Sequence, residues 1–400
     1  MPLFTREKAN VLILVICQSL FIIAAITVMT LSGVVGYKMS PNPTYATLPI
    51  ALMMIGTVIS TLPASLYMAK VGRRVGFITG ALFGGVGGAY LSVLGISHNA
   101  FWLFCLGNFL LGVYQGFAMY YRFAAIDVAS PGFKSRALSL VMVGGVIAAY
   151  LGPWNASALI NLIEATPYAG PYLILAIQSV LAIFLLSLLR VPPSGEPEPG
   201  SYARPLKTIV KLPSVKVAMI AAAIGYAIMI LVMSATPLAM KNVGFDMTVI
   251  AHVMQWHVLG MFLPSFFTGS LIKRFGTATI LHTGSLLLIG SALTANTGQT
   301  LTHFEISLVL LGVGWNFLFI GGSTLLATMH TESERGKVQG SNDLIIFTLV
   351  AIGSLMAGKL LFTLGWESLN LLMLSPVFFV IFATQLWVIG NRKKVLNNVL

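Results

Sequence analysis

From Val11 to Tyr37 the chain carries no charged side chain. A run of that length exceeds the ~20 residues an α-helix needs to cross bilayer hydrocarbon. It is also longer than the ~7–15-residue core of a signal peptide, so it reads as a retained first span. Five more such stretches follow in the first half, at approximately Tyr45–Ala69, Val75–Ile96, Phe101–Val128, Ser135–Leu162 and Tyr168–Leu189, after a first span at Asn10–Tyr37. The second half holds six, at approximately Val215–Met240, Thr248–Ile272, Thr277–Thr294, Phe304–Met329, Gly336–Phe362 and Leu369–Ile389. Lipid offers no hydrogen-bond partners, so each span must pair its own backbone groups, which makes it a helix. Composition agrees: 8% of the residues are charged, against roughly a quarter in an average globular protein. The expected fold is all-α, with twelve transmembrane helices in two pseudo-symmetric six-helix bundles.

The net charge of +12 would suit a nucleic-acid binder, but its placement argues for a membrane instead. With the N-terminus inside, nineteen lysines and arginines fall in the even-numbered connections and the two termini. Only Lys38, Lys241 and Lys359 fall on the opposite side, and Arg122 lies within a span. That bias is the positive-inside rule, and it predicts both termini in the cytoplasm. Cys17 and Cys105 sit in separate apolar stretches and read as small core residues rather than a disulfide. No C-x-x-C or His/Cys cluster points to a metal, and no cofactor is called for.

The two halves resemble each other. Pro63 to Arg74 ends the second span in a basic loop, Lys70-Val71-Gly72-Arg73-Arg74. A related loop, Lys273-Arg274-Phe275-Gly276, ends the eighth. Leu110-Leu111-Gly112-Val113 returns as Leu310-Leu311-Gly312-Val313. Between the halves, Pro192, Pro193, Gly195, Pro197, Pro199 and Gly200 break any helix. The expected domains are therefore residues 1–190 and 214–400, joined by a cytoplasmic linker at 191–213. In that linker Leu206, Ile209 and Val210, interleaved with Arg204, Lys207 and Lys211, suggest a short interfacial helix.

These motifs resemble the major facilitator superfamily. Its loop signature runs glycine, any, leucine, alanine, aspartate, arginine, any, glycine, arginine, arginine or lysine. Leu66, Lys70, Gly72, Arg73 and Arg74 fit it, while Ser65 and Ala69 replace the glycine and the aspartate. In the second copy Gly269, Leu271, Arg274 and Gly276 fit, and Lys273 replaces the acid. Gly144, Gly145, Gly152 and Pro153 partly match the glycine–proline pattern of drug–proton antiporters. Tyr121–Asp127 and His257–Phe266 are similar to a proteobacterial subgroup that includes riboflavin and siderophore-related carriers. The resemblance implies a secondary active transporter, not an enzyme, in which two halves alternate access to a midplane site.

An ionisable group in hydrocarbon is costly, so each is a functional candidate. Arg122 and Asp343, with Asn342 beside it, are expected as an ion-paired gate whose protonation couples transport to a proton gradient, or else as a permanent structural pair. Asp127 belongs to the same inner region, as part of the gate or as a neutralising partner of Lys134 or Arg136. Tyr114, Gln115, Tyr226, Gln255, His257, Trp315 and Asn316 lie near mid-span and either line a cavity or bond between helices. His252 and His257 are five apart, which does not suit a two-histidine metal site. The cavity is nearly free of charge, which favours a neutral, aromatic or amphipathic organic solute. The expected protein is a proton-coupled, monomeric carrier of the inner membrane. The alternatives are an efflux antiporter and, from another class, a non-transporting sensor or scaffold. No Walker loop or nucleophile–histidine arrangement supports ATP-driven transport or catalysis.

Overall fold

Proline and glycine set the helix ends. A computed structural model describes residues 3–130, 133–191, 204–331 and 334–397. The proline-rich stretch 192–203 therefore lies outside the described residues, as do the Lys134 and Arg136 side chains. The first half forms α1 (Leu3–Met39), α2 (Leu48–Val71), α3 (Arg73–Ser97), α4 (Phe101–Asp127), α5 (Lys134–Ala158) and α6 (Ala169–Leu188). A short helix, Leu206–Val210, precedes α7 (Pro213–Asn242). Next come α8, in two pieces (Met247–Phe262 and Ser265–Phe275), α9 (Thr277–Thr297) and α10 (Leu301–Ala327). A continuous helical stretch changes direction at Gly365, whose φ of 80° and ψ of 171° are not helical. It divides α11 (335–364) from α12 (366–397). These are the twelve helices of the expected fold, and no strand occurs among the described residues.

Two elements depart from regular, uninterrupted spans, and a third is marked by close packing. Within α3, Gly80–Val86 is π-helical, a widening of the helix that often accompanies function. In α8, Pro264 brings no backbone N–H and the two pieces meet at 41°. In α5, Gly144 and Gly152 pack closely on α1. A Cβ at Gly144 would meet Ser19 Oγ at 2.8 Å, and one at Gly152 would meet Ile26 at 2.7 Å. The helix continues through Pro153.

The described chain divides into two compact units. One is Met1–Glu196 with Pro237–Gln255, and the other is Pro197–Thr236 with Trp256–Leu400. Both are held by the devices that suit a membrane interior, small residues and interhelical hydrogen bonds. In the first, Ser32 Oγ donates to Asn108 Oδ1 at 2.9 Å and lies 2.6 Å from the Tyr172 hydroxyl, tying α1, α4 and α6. Thr27 Oγ1 donates to the Gly152 carbonyl at 3.1 Å and ties α1 to α5. Cys17 and Cys105 are buried free thiols.

The repeated motif has a repeated role. A Cβ at Gly56 of α2 would lie 2.2 Å from the Phe109 carbonyl oxygen, and one at Gly112 of α4 would lie 1.9 Å from that of Met53. In the second unit, Gly260 of α8 faces the Val309 carbonyl at 3.1 Å, and Gly312 of α10 faces that of His257 at 2.5 Å. Each pair of glycines lets two backbones touch where any side chain would separate them.

The second unit is also stapled by a carboxylate. Glu334 has only 1% of its side chain exposed. It receives Arg204 Nε at 2.8 Å, Arg204 NH2 at 2.8 Å, the Arg204 backbone N–H at 2.9 Å and the Thr331 N–H at 3.0 Å. Arg204 also donates to the Met329 carbonyl at 3.0 Å, and Lys337 Nζ to the Arg204 carbonyl. With Ile209 fully buried, the short helix is fastened to the start of α11.

The Arg204 guanidinium, helped by the Thr331 N–H, holds the Glu334 carboxyl well below the usual carboxylate range. A depressed folded-state pKa gives stability that is complete above the unfolded value of about 4.5 and lost as pH falls below it. Glu334→Gln should therefore melt below wild type at neutral pH, and the gap should shrink on acidification. Thermal melts in detergent check this. A gap that stays constant into strong acid would remove the ion pair as its cause.

Candidate functional site

The two signature loops are alike in backbone. Gly72 sits at φ 86°, ψ 153° and Gly276 at φ 83°, ψ 153°. A Cβ at either would meet nothing within 4 Å, so the positive φ, not crowding, calls for glycine. Lys70 and Arg74 are exposed, as is Arg274, which stacks on its neighbour Phe275 at 5.2 Å. Arg73 turns inward instead. Its NH2 meets Asp127 Oδ2 at 2.6 Å and its NH1 the Tyr120 carbonyl at 3.5 Å, joining the loop to the end of α4. Asp127 thus pairs with Arg73.

Arg122 and Asp343 lie in different units. Arg122 rests over the Phe123 ring at 4.8 Å, and its buried Nε has no hydrogen-bond partner. Asn342 is buried, and its Nδ2 donates to Asp343 Oδ1 at 3.3 Å. Asp343 itself is half-buried, two turns into α11.

In the first unit Tyr114 and Gln115 of α4 border a small cleft with Phe21, Ala25 and Val28 of α1 and Met53 of α2. Phe21 meets Tyr114 edge to face at 6.1 Å. The Gln115 Oε1 atom is buried without a partner. Gly84 in the π-helical turn of α3 lies against the Tyr114 backbone, where a Cβ would come within 2.5 Å of its nitrogen. Gln255 donates to the Tyr150 carbonyl at 3.2 Å.

In the second unit five rings cluster. Tyr226 of α7 meets Trp315 at 5.2 Å, Phe319 at 5.4 Å and Phe347 of α11 at 6.2 Å. Trp315 stacks on Phe319 at 5.1 Å with planes 9° apart, and meets Phe262 of α8 at 6.5 Å. Trp315 is 5% exposed, and its Nε1–H has no acceptor. Neighbouring Asn316 has both amide hydrogens committed, to the Met261 carbonyl and to Ser265 Oγ, each at 2.7 Å, and accepts from Thr268 at 2.7 Å. It pins the break of α8. His257 is fully buried and donates from Nδ1 to the Leu308 carbonyl at 2.7 Å, beside Gly312. The lone pair of its Nε2 is unpartnered. Asn316 and His257 thus hold α8 on α10, while Trp315 keeps a free donor.

Nine helices among the described residues, ten with the bent α8, are long and apolar enough to cross a membrane, and with glycine-packed repeats and mid-span polar groups they define a multi-pass membrane carrier. The chain belongs to the Major Facilitator Superfamily, whose pattern matches residues 12–293 and, in a second match, 217–399. It is 41% identical over 380 residues to the riboflavin transporter RfnT of Brucella anthropi, covering 94% of this chain and 95% of that one. It is 28% identical to YdeG, an uncharacterised MFS-type transporter of Bacillus subtilis, over 86% of this chain and 84% of that one. Among solved structures, an inward-facing, occupied bacterial homologue of the human lysosomal transporter Spinster superposes with a TM-score of 0.74 at 15% identity. That match covers 97% of both chains. A point mutant of the nucleoside transporter NupG gives 0.73 at 13% identity, covering 94% of this chain and 99% of that one. The protein is a transporter, not an enzyme.

Proposed function

We propose that this protein carries riboflavin or a closely similar planar, uncharged aromatic solute across the inner membrane, by alternating access and coupled to protons. One observation carries the reading: the ring cluster around Trp315, which leaves a buried indole N–H without an acceptor. Stacked rings with a few polar anchors suit a flat heteroaromatic molecule. The relative from Brucella anthropi, named as a riboflavin transporter, supports the same class. Within the second unit Tyr226 and Trp315 serve as a ring wall; within the first, Tyr114 and Gln115 serve as polar anchors, and Gln255 is a further candidate anchor. Residues 1–190 and 214–400 act as the two moving lobes. The lysine and arginine bias supports cytoplasmic termini. Asp343, with Arg122 as its partner in one state of the cycle, is the coupling group. The protein acts as a monomer.

Proteoliposomes loaded with buffer of set pH test this. Labelled riboflavin should accumulate when the outside is acidic, and excess unlabelled riboflavin should abolish the signal. Asp343→Asn should remove the dependence on the pH gradient while leaving downhill exchange, with accumulation falling ~10-fold or more. Accumulation only in inverted vesicles would replace import by efflux. Unchanged pH-driven uptake in Asp343→Asn would remove Asp343 from coupling.

A further inference from the structure

We infer that Gln18 of α1 acts with Gln115 of α4 as a pair of hydrogen-bond acceptors that selects solutes presenting N–H or O–H donors, which makes Gln18 a specificity residue. The inference rests on the flavin-class reading above.

Gln18, Phe21, Ala25 and Val28 recur at spacings of three, four and three, so they share one face of α1. Phe21, Ala25 and Val28 border the cleft together with Tyr114 and Gln115. Gln18 continues that stripe by one turn toward the N-terminal end of the helix. One turn toward the C-terminus, Phe21 meets Tyr114 edge to face, so this part of α1 packs against α4.

Gln18 Oε1 and Gln115 Oε1 are both buried and lack any hydrogen-bond partner. In the same unit Ser32, Asn108 and Tyr172 satisfy one another, whereas the Tyr114 hydroxyl, which borders the cleft with Gln115, is likewise buried without a partner. An amide oxygen left without a donor away from water carries a standing cost that a donor on a solute would relieve. Gln115 borders the cleft and Gln18 lies one turn further along the cleft-lining face of α1, so the two are poised to receive donors from a solute. The cleft border adds Phe, Ala, Val, Met, Leu and Tyr but no charged side chain. Acceptor oxygens with no cation repel an anionic group, so the pair favours the free, uncharged molecule over its phosphate ester. Riboflavin presents two donor sets that fit, the ring imide N–H and the side-chain hydroxyls.

The experiment uses the full chain in proteoliposomes with labelled riboflavin, comparing wild type with Gln18→Leu. The KM should rise about ten-fold with kcat nearly unchanged, because an interaction common to ground and transition states is removed. Without ligand, the variant should melt at or above the wild-type temperature, since an unsatisfied polar atom has been deleted. The stabilisation that riboflavin gives wild type should shrink. Two competitors identify the donor: 3-methylriboflavin lacks the imide N–H, and lumiflavin lacks the hydroxyls. Wild type should disfavour at least one of them, and in Gln18→Leu that preference should disappear. An unchanged KM with both preferences intact would overturn the clamp while leaving riboflavin transport standing. Absence of any riboflavin flux or thermal shift in wild type would overturn the clamp together with the reading beneath it.

Discussion

Gly112→Leu is expected to yield no folded, transport-competent protein, and even Gly112→Ala should cost about 3 kcal/mol or more. The reason is the partner. A Cβ at this position would lie 1.9 Å from a backbone carbonyl oxygen, that of Met53, which cannot swing aside as a side chain can. Relief requires α2 and α4 to part, and the Gly56–Phe109 approach one turn away then opens as well. Without a hydrophobic drive between helices in lipid, dispersion lost at such a seam is not recovered elsewhere. Gly312→Ala should do less damage, because the corresponding contact on His257 is 2.5 Å. Gly269→Ala is the control: nothing lies within 4 Å of its Cβ, and it should melt like wild type. Fluorescence-detected size exclusion and thermal melts order the three. Wild-type melting of Gly112→Ala would show that the α2–α4 seam is not a limiting contact.

The architecture is readable because lipid imposes coarse rules. Long uncharged runs, short breaks and one-sided basic residues yield twelve helices with few alternatives, and the Leu-Leu-Gly-Val repeat marks the seams that pack in both units. What stays hidden depends on which side chains meet. Asp127 can be placed at the end of its span, but sequence distance suggests Lys134 or Arg136 as its partner. The structure pairs it with Arg73, from a loop more than fifty residues earlier, while the Lys134 and Arg136 side chains lie outside the described residues. Asn316 reads by depth alone as either a cavity amide or an interhelical hydrogen-bonder. Its donors are in fact used at the break in α8, and Pro264 is the available signal, since a missing N–H leaves a neighbouring carbonyl in need of another donor. Glu334 looks like one more loop charge, and nothing local shows that Arg204 would bury it. Gln18 is a single amide on an apolar helix, and only the spacing of its stripe relates it to the cleft. Depth and charge are one-dimensional and survive in the sequence, whereas partner choice needs the packed helices.

Trp315 separates shape from hydrogen bonding most sharply. Trp315→Ala removes the ring at the centre of the cluster, where Tyr226, Phe262 and Phe319 all touch it. Loss of a buried tryptophan costs ~3–5 kcal/mol of stability, and transport should fall to background with it. Trp315→Phe is the more telling change. It keeps an aromatic face against Phe319 and deletes the N–H, which in the ligand-free protein bonds to nothing. Stability without ligand should therefore move by less than about 1 kcal/mol. If the indole donates to a carbonyl or ring nitrogen of the solute, the KM should rise about five- to twenty-fold, equivalent to roughly 1–1.8 kcal/mol of lost binding. Trp315→Tyr, whose hydroxyl donates from a different position, should not restore it. A Trp315→Phe protein that binds and carries riboflavin like wild type would reduce the cluster to packing and take the free indole N–H out of recognition. A loss confined to KM, at unchanged melting temperature, would assign that hydrogen to the solute.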